Sequence, residues 1–280
     1  MCAKCGRVTL RLMSQPPESP VGAWTPSTPR SSRSQAPNPW VSRPPTSIRW
    51  GFGDAVWTIV VGIVAALIAG GITLVVRHPD LAEGVEPTFD AMDTSISAIA
   101  QFGCMALMIW LLVHRRGRGM RNDLGVRWAW ADAPWIFAGI ALPFAIGVTQ
   151  LPITKLWEDG NRGKQQIGSD LQASAAGWRM VLIITIVVVT PVIEEIVFRG
   201  IVLRAALRRM HAAPAVIVSG LSFASLHLLD FATFPSFPAL FVLGTLSAVV
   251  AVRSGGVSRS ILMHVGFNLV GAIALLLTAS

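Results

Sequence analysis

Charge is scarce in this chain. Only 14% of its 280 residues are Asp, Glu, Lys or Arg and 52% are hydrophobic, where a soluble domain carries about 25% charged residues. Mean hydropathy is +0.58. That balance argues against a soluble domain and for an integral membrane protein. Cysteine is scarce as well. Cys2, Cys5 and Cys104 are the whole complement, which excludes a disulfide framework. Cys2 and Cys5 form a C-x-x-C without the second pair that a zinc site needs, and Cys104 reads as packing in an apolar helix. The sequence also lacks a G-x-S-x-G elbow and an H-E-x-x-H zinc helix, so neither signature hydrolase motif is available. The first long apolar run starts near Ala55, too late for a signal peptide.

The charge that is present is unevenly placed. Residues 1–50 hold seven Lys or Arg against the single acid Glu18, a net of +6 out of +8 for the chain, with nine of its eighteen prolines and eight serines. Such a segment buries too little apolar surface to offset its ordering entropy, so residues 1–50 are expected to be a disordered basic tail. No aromatic-rich basic fold accompanies it, and no nucleic-acid partner is expected. A tail lying near anionic lipid on the cytoplasmic side accounts better for the charge.

Residues 51–280 read as a transmembrane domain. Apolar runs at Ala55–Val76, Ser95–Val113, Trp135–Ile153, Met180 towards Arg208, Pro214–Leu229, Ala239–Val252 and Ile261–Ala279 give about seven spans, the fifth and sixth short for a bilayer core of about 30 Å. The connections alternate in charge. Arg115, Arg116, Arg118, Arg121 and Arg127 follow the second span, whereas Asp80, Glu83, Glu86, Asp90 and Asp93 follow the first. That alternation fits seven crossings from a cytoplasmic N-terminus. The expected fold class is therefore all-α, a polytopic helical membrane protein in the cell membrane.

Against this apolar background, six ionisable or amide side chains stand out. They fall in three segments, Glu194-Glu195-Ile196-Val197-Phe198-Arg199, Phe223-Ala224-Ser225-Leu226-His227 and His264-Val265-Gly266-Phe267-Asn268. Charged groups cost several kcal/mol in hydrocarbon, so such residues face one another or a water-filled cavity. Adjacent glutamates on a helix diverge by about 100°. Arg199 follows Glu195 by four residues and can pair with it. Glu195 would then hold Arg199, leaving Glu194 to face a cavity and take a proton. Pro191 would remove the helical bond to the carbonyl of Val187 and open the helix beside the pair. Histidine can orient a water and an asparagine amide can donate to a developing oxyanion. The set suits hydrolysis of an acyl bond by water.

The E-E-x-x-x-R, F-x-x-x-H and H-x-x-x-N series resembles the CPBP family of CAAX-processing and bacteriocin-related intramembrane proteases, also called Abi proteins. The resemblance covers about residues 180–275. It implies an intramembrane endopeptidase acting on a membrane-associated peptide or protein. By motif position, Glu194 would activate water with His227 as its partner. His264 and Asn268 would form the oxyanion site, and Glu195 and Arg199 would support the first glutamate. The resemblance implies no required cofactor, although one glutamate and two histidines could hold zinc with an open fourth position. Two other classes stay open on sequence. A transporter or proton relay would also place Glu and His in spans, but it is expected to show an internal repeat, and none is visible. A catalytically silent scaffold or immunity protein would not need all six residues.

Overall fold

A computed structural model of the chain describes residues 50–78, 90–158, 175–229 and 231–278. Among the described residues there are helices and no strand. Seven helices carry the architecture: α1 Phe52–Arg77, α2 Ala91–Arg116, α3 Pro134–Glu158, α4 Ala176–Leu207, α5 Ala212–His227, α6 Phe237–Ser254 and α7 Ser258–Thr278. Six of them are long and apolar enough to cross a membrane; α5, at 16 residues, is not. Its length of about 24 Å falls short of a bilayer core of about 30 Å, so six of the seven expected spans are long enough to cross and the fifth is not; the sixth, expected to be short, is one of the six. The tail expected over residues 1–50 lies outside the described residues up to residue 49. Trp50 itself is buried, its carbonyl accepting a hydrogen bond from Arg208. Asp80, Glu83 and Glu86 also lie outside the described residues.

The hairpin of α1 and α2 is tied at one end by charge. Asp90 caps α2 by accepting from the N–H groups of Met92 and Asp93, at 2.9 and 3.0 Å, which removes orphan donors at the helix start. Arg77, at the end of α1, donates to Asp90 at 3.0 Å and also pairs with Asp93. The guanidinium holds the Asp90 carboxyl well below the usual carboxylate range. Asp90 and Asp93 thus serve as cap and clamp, beyond marking the acidic connection.

Burial singles out α4. Over half of its apolar stretch is buried, against 11–17% for the first three helices. Its neighbours approach through glycine. A Cβ on Gly266 of α7 would collide with the carbonyl of Ile136 on α3, and one on Gly139 of α3 with the carbonyl of Met263 on α7. Between α5 and α6, a Cβ on Gly244 would lie 3.1 Å from the Cα and carbonyl oxygen of Gly220. Backbone-to-backbone packing of this kind drives helix association where lipid removes the hydrophobic advantage.

Gly266 lies between His264 and Asn268, so the depth of α7 and the placement of both side chains depend on this contact. Overpacking a well-filled site costs about 1–3 kcal/mol. Gly266→Ala is expected to lower the thermal midpoint in detergent. Gly271→Ala, whose Cβ meets nothing within 4 Å, is expected to leave it unchanged. Equal midpoints for both variants would show that α3 and α7 are not held by this approach.

Candidate active site

The helix that carries the glutamate pair is not a uniform α-helix. It runs α over Ala176–Ile184, π over Thr185–Val189, α over Thr190–Glu195, π over Ile196–Val202 and α again over Leu203–Leu207. The first π turn occupies the β-branched run Thr185-Ile186-Val187-Val188-Val189 and ends two residues before Pro191. β-Branched side chains crowd a helix and proline withholds an N–H, so the tighter register is weakest there. One α-helical turn and a half, bounded by two wider ones, presents the two carboxylates.

Glu195 points into protein. Its Oε1 lies 3.1 Å from Arg199 Nη1 and 3.1 Å from His264 Nδ1, and both Glu195 and Arg199 are fully buried. Arg199 also donates through Nη2 to the carbonyl of Gly244 at 2.8 Å, and its guanidinium lies 4.8 Å from the centre of the Phe223 ring. Phe223 stands edge-on to Phe198 and His264 and beside His227, with ring centres 5.3, 5.4 and 4.8 Å apart. One apolar side chain therefore touches four residues of the site, a role that its motif position alone did not reveal.

Glu194 points the other way, into the group of histidines. Its Oε1 lies 3.9 Å from His227 Nε2, and its Oε2 lies 3.8 Å from His264 Nε2. Those separations are too long for direct hydrogen bonds. Each imidazole is oriented through its other nitrogen. His227 Nδ1 sits 3.0 Å from the carbonyl of Phe223, an acceptor only, so Nδ1 carries the hydrogen. His264 Nδ1 faces the Glu195 carboxylate in the same way. Both Nε2 atoms are thus directed at Glu194.

His227 and His264 reach one level although they lie at different distances along their helices. His227 is the last residue of α5, whereas His264 is six residues past the start of α7. Leu124 packs on Gly200, and the next carbonyl, that of Gly125, accepts from Val257 N–H at 3.3 Å. Both imidazoles nonetheless lie within 4 Å of the Glu194 carboxylate.

Asn268 takes a different place. Its Nδ2 donates to the carbonyl of Ile186 at 2.8 Å, not to a side chain of the Glu/His group. The wider register also corrects the expected effect of Pro191. In a uniform α-helix the carbonyl facing it would be Val187; in the π turn it is Ile186. Ser219 of α5 donates to the carbonyl of Phe198 at 3.1 Å.

Glu194, His227 and His264 are the donor types that a zinc site would use. Bonds of about 2.0–2.1 Å in a tetrahedron put ligand atoms about 3.3 Å apart, and the gaps here are 3.8 and 3.9 Å. Among the described residues no group of three or more His, Cys, Asp or Glu is arranged to hold a metal ion. As arranged, the three donors do not close a metal site.

Removing one member of a buried ion pair leaves the other charge unpaired and costs about 3–5 kcal/mol, whereas replacing both by apolar side chains is often nearly neutral. Glu195→Gln and Arg199→Met, made singly, are each expected to abolish a folded species on size-exclusion in detergent. The double variant Glu195→Leu/Arg199→Met is expected to recover it in part. Singles that fold with wild-type midpoints would contradict the structural role given to the pair.

Residues 176–270 match the family model described as type II CAAX prenyl endopeptidase, Rce1-like, and that stretch contains all six polar motif positions. No curated protein and no solved structure matches the chain. At the level of the family, the match supports an intramembrane endopeptidase of the CAAX-processing type. With six apolar helices beside it, the chain is an integral, multi-pass membrane protein. Over residues 176–270, the part that builds the candidate site, the sequence matches the CAAX-processing protease family that its three motifs resemble.

Proposed function

We propose that the protein hydrolyses a peptide bond of a membrane-associated protein or peptide, with Glu194 as the general base. One observation carries this reading. Glu195 is committed to Arg199 and His264, while the carboxylate of its neighbour Glu194 turns each oxygen to a different imidazole Nε2 at 3.8–3.9 Å. A water in those gaps would touch a base and two oriented rings at once.

The steps balance without a covalent enzyme intermediate. Glu194 takes one proton as the water oxygen attacks the scissile carbonyl carbon. His227 accepts the second hydrogen of the water through Nε2 and fixes its lone pair on the carbon. His264, with hydrogens on both ring nitrogens, donates from Nδ1 to Glu195 and from Nε2 to the oxyanion. A preformed donor of this kind is worth far more in a water-poor site than in solution. Glu194 then gives its proton to the leaving amine as the C–N bond breaks. In this reading, Glu195 and Arg199 hold His264 and do not touch substrate. The substrate is expected to present a hydrophobic or lipid-modified C-terminal segment at the cell membrane, since the site lies among apolar helices.

The test is cleavage of a panel of hydrophobic and prenylated C-terminal peptides in liposomes, with and without a strong chelator. Loss of a general base typically costs 10²–10⁴-fold. Glu194→Gln is expected to lose cleavage by at least about a hundredfold while keeping the wild-type thermal midpoint, and chelator is expected to leave wild type active. Equal cleavage by wild type and Glu194→Gln would remove Glu194 from the chemistry. Loss of wild-type activity on chelation would replace this scheme with a metal-dependent one.

A further inference from the structure

Two π turns aim the glutamate pair, and each has one backbone carbonyl held by a side chain from another helix. In the first, the N–H of Thr190 reaches back five residues to the carbonyl of Thr185. The next bond in that register would join residue 191 to the carbonyl of Ile186. Residue 191 is proline, which has no N–H to give. Asn268 on α7 fills the place, its amide donating to Ile186 at 2.8 Å. In the second turn, the N–H of Leu203 reaches back five residues to Phe198, whose carbonyl also accepts from Ser219 on α5 at 3.1 Å.

The register decides where Glu194 points. A π turn adds one residue to the turn, and one residue corresponds to about 100° of rotation in an α-helix. Glu194 lies three positions after Pro191. If the first turn relaxed to α, Glu194 would rotate away from both histidines and Glu195 away from His264. A buried carbonyl without a donor is costly, so whatever satisfies Ile186 biases the register.

We propose that Asn268 is a positioning residue: its amide stands in for the hydrogen-bond donor that Pro191 lacks, and so fixes the rotation of α4 that turns Glu194 towards His227 and His264. This role is separate from any contact with the oxyanion, because the hydrogen given to Ile186 acts on α4 and the amide carries a second one. The inference deepens the general-base reading of Glu194 and rests on it for one of its two measurements.

Returning an N–H at residue 191 separates the two roles. A carbonyl has two lone pairs, so the backbone N–H restored by Pro191→Ala and the amide of Asn268 can both donate to Ile186. Pro191→Ala is expected to stay within about twofold of wild type in kcat/KM. Asn268→Ala, and Asn268→Asp as the isostere without the donor, are expected to fall by at least about tenfold, as small misplacements at a reacting centre do. Both are also expected to lower the thermal midpoint in detergent. In Pro191→Ala/Asn268→Ala the restored N–H is expected to bring activity and midpoint back close to those of Pro191→Ala. Should Asn268→Ala fail to fold alone, recovery of a folded protein in the double variant is the expected result. A double variant as inactive as Asn268→Ala would place the asparagine on the reacting atoms and overturn the proposal, as would wild-type behaviour of Asn268→Ala. If wild type cleaves no peptide, the general-base reading fails separately. The midpoints then decide: coupling between the two substitutions supports the positioning role, and additivity overturns it.

Discussion

Glu195 and Arg199 lie 3.1 Å apart with no solvent exposure, and neither charge could remain there alone. The rest of the site depends on that pair. Two ions taken out of water recover their desolvation cost only with close geometry and further hydrogen bonds. The protein supplies those from three helices. His264 of α7 donates to Glu195, Gly244 of α6 offers its carbonyl to Arg199, and the ring of Phe223 from α5 covers the guanidinium. Holding one charge pair therefore fixes the mutual placement of α4, α5, α6 and α7.

Division of labour between adjacent glutamates follows from the same constraint. Neighbouring residues on a helix face different directions, so satisfying Glu195 inside the bundle turns Glu194 towards the histidines. His264 joins the two halves, since one ring nitrogen serves the Glu195 carboxylate and the other faces that of Glu194. A histidine oriented by a buried carboxylate is a recurring device for holding the direction of the ring. The two π turns complete the arrangement by setting the rotation of the short α-helical piece between them.

Much of this was legible in the sequence, and the rest was not for physical reasons. Apolar runs located the helices, because length and hydropathy follow from the bilayer itself. The i, i+4 spacing of Glu195 and Arg199 anticipated their ion pair. The short run from Pro214 signalled that the fifth helix would be short. The π register was hidden, since a β-branched run with Pro191 says that the helix is weak there without saying which carbonyl is left over. The partner of Asn268 is a backbone atom and leaves no mark in side-chain pattern. The contact of Gly125 with Gly256 and Val257 joins residues far apart in the chain and is made only by folding. Gly266 sits within the third motif, and its close approach to α3 was the one packing feature that its position between His264 and Asn268 could have suggested.

The central claim is that Glu194 removes a proton from water and is never itself acylated. Turnover of a cleavable peptide in ¹⁸O-labelled water reads this directly, by mass spectrometry of both the new C-terminus and the enzyme peptide containing Glu194. The account predicts label in the product carboxylate and none in Glu194 after many turnovers. Label accumulating in the Glu194 side chain would show a carboxylate nucleophile and an acyl-enzyme, and would contradict the general-base assignment.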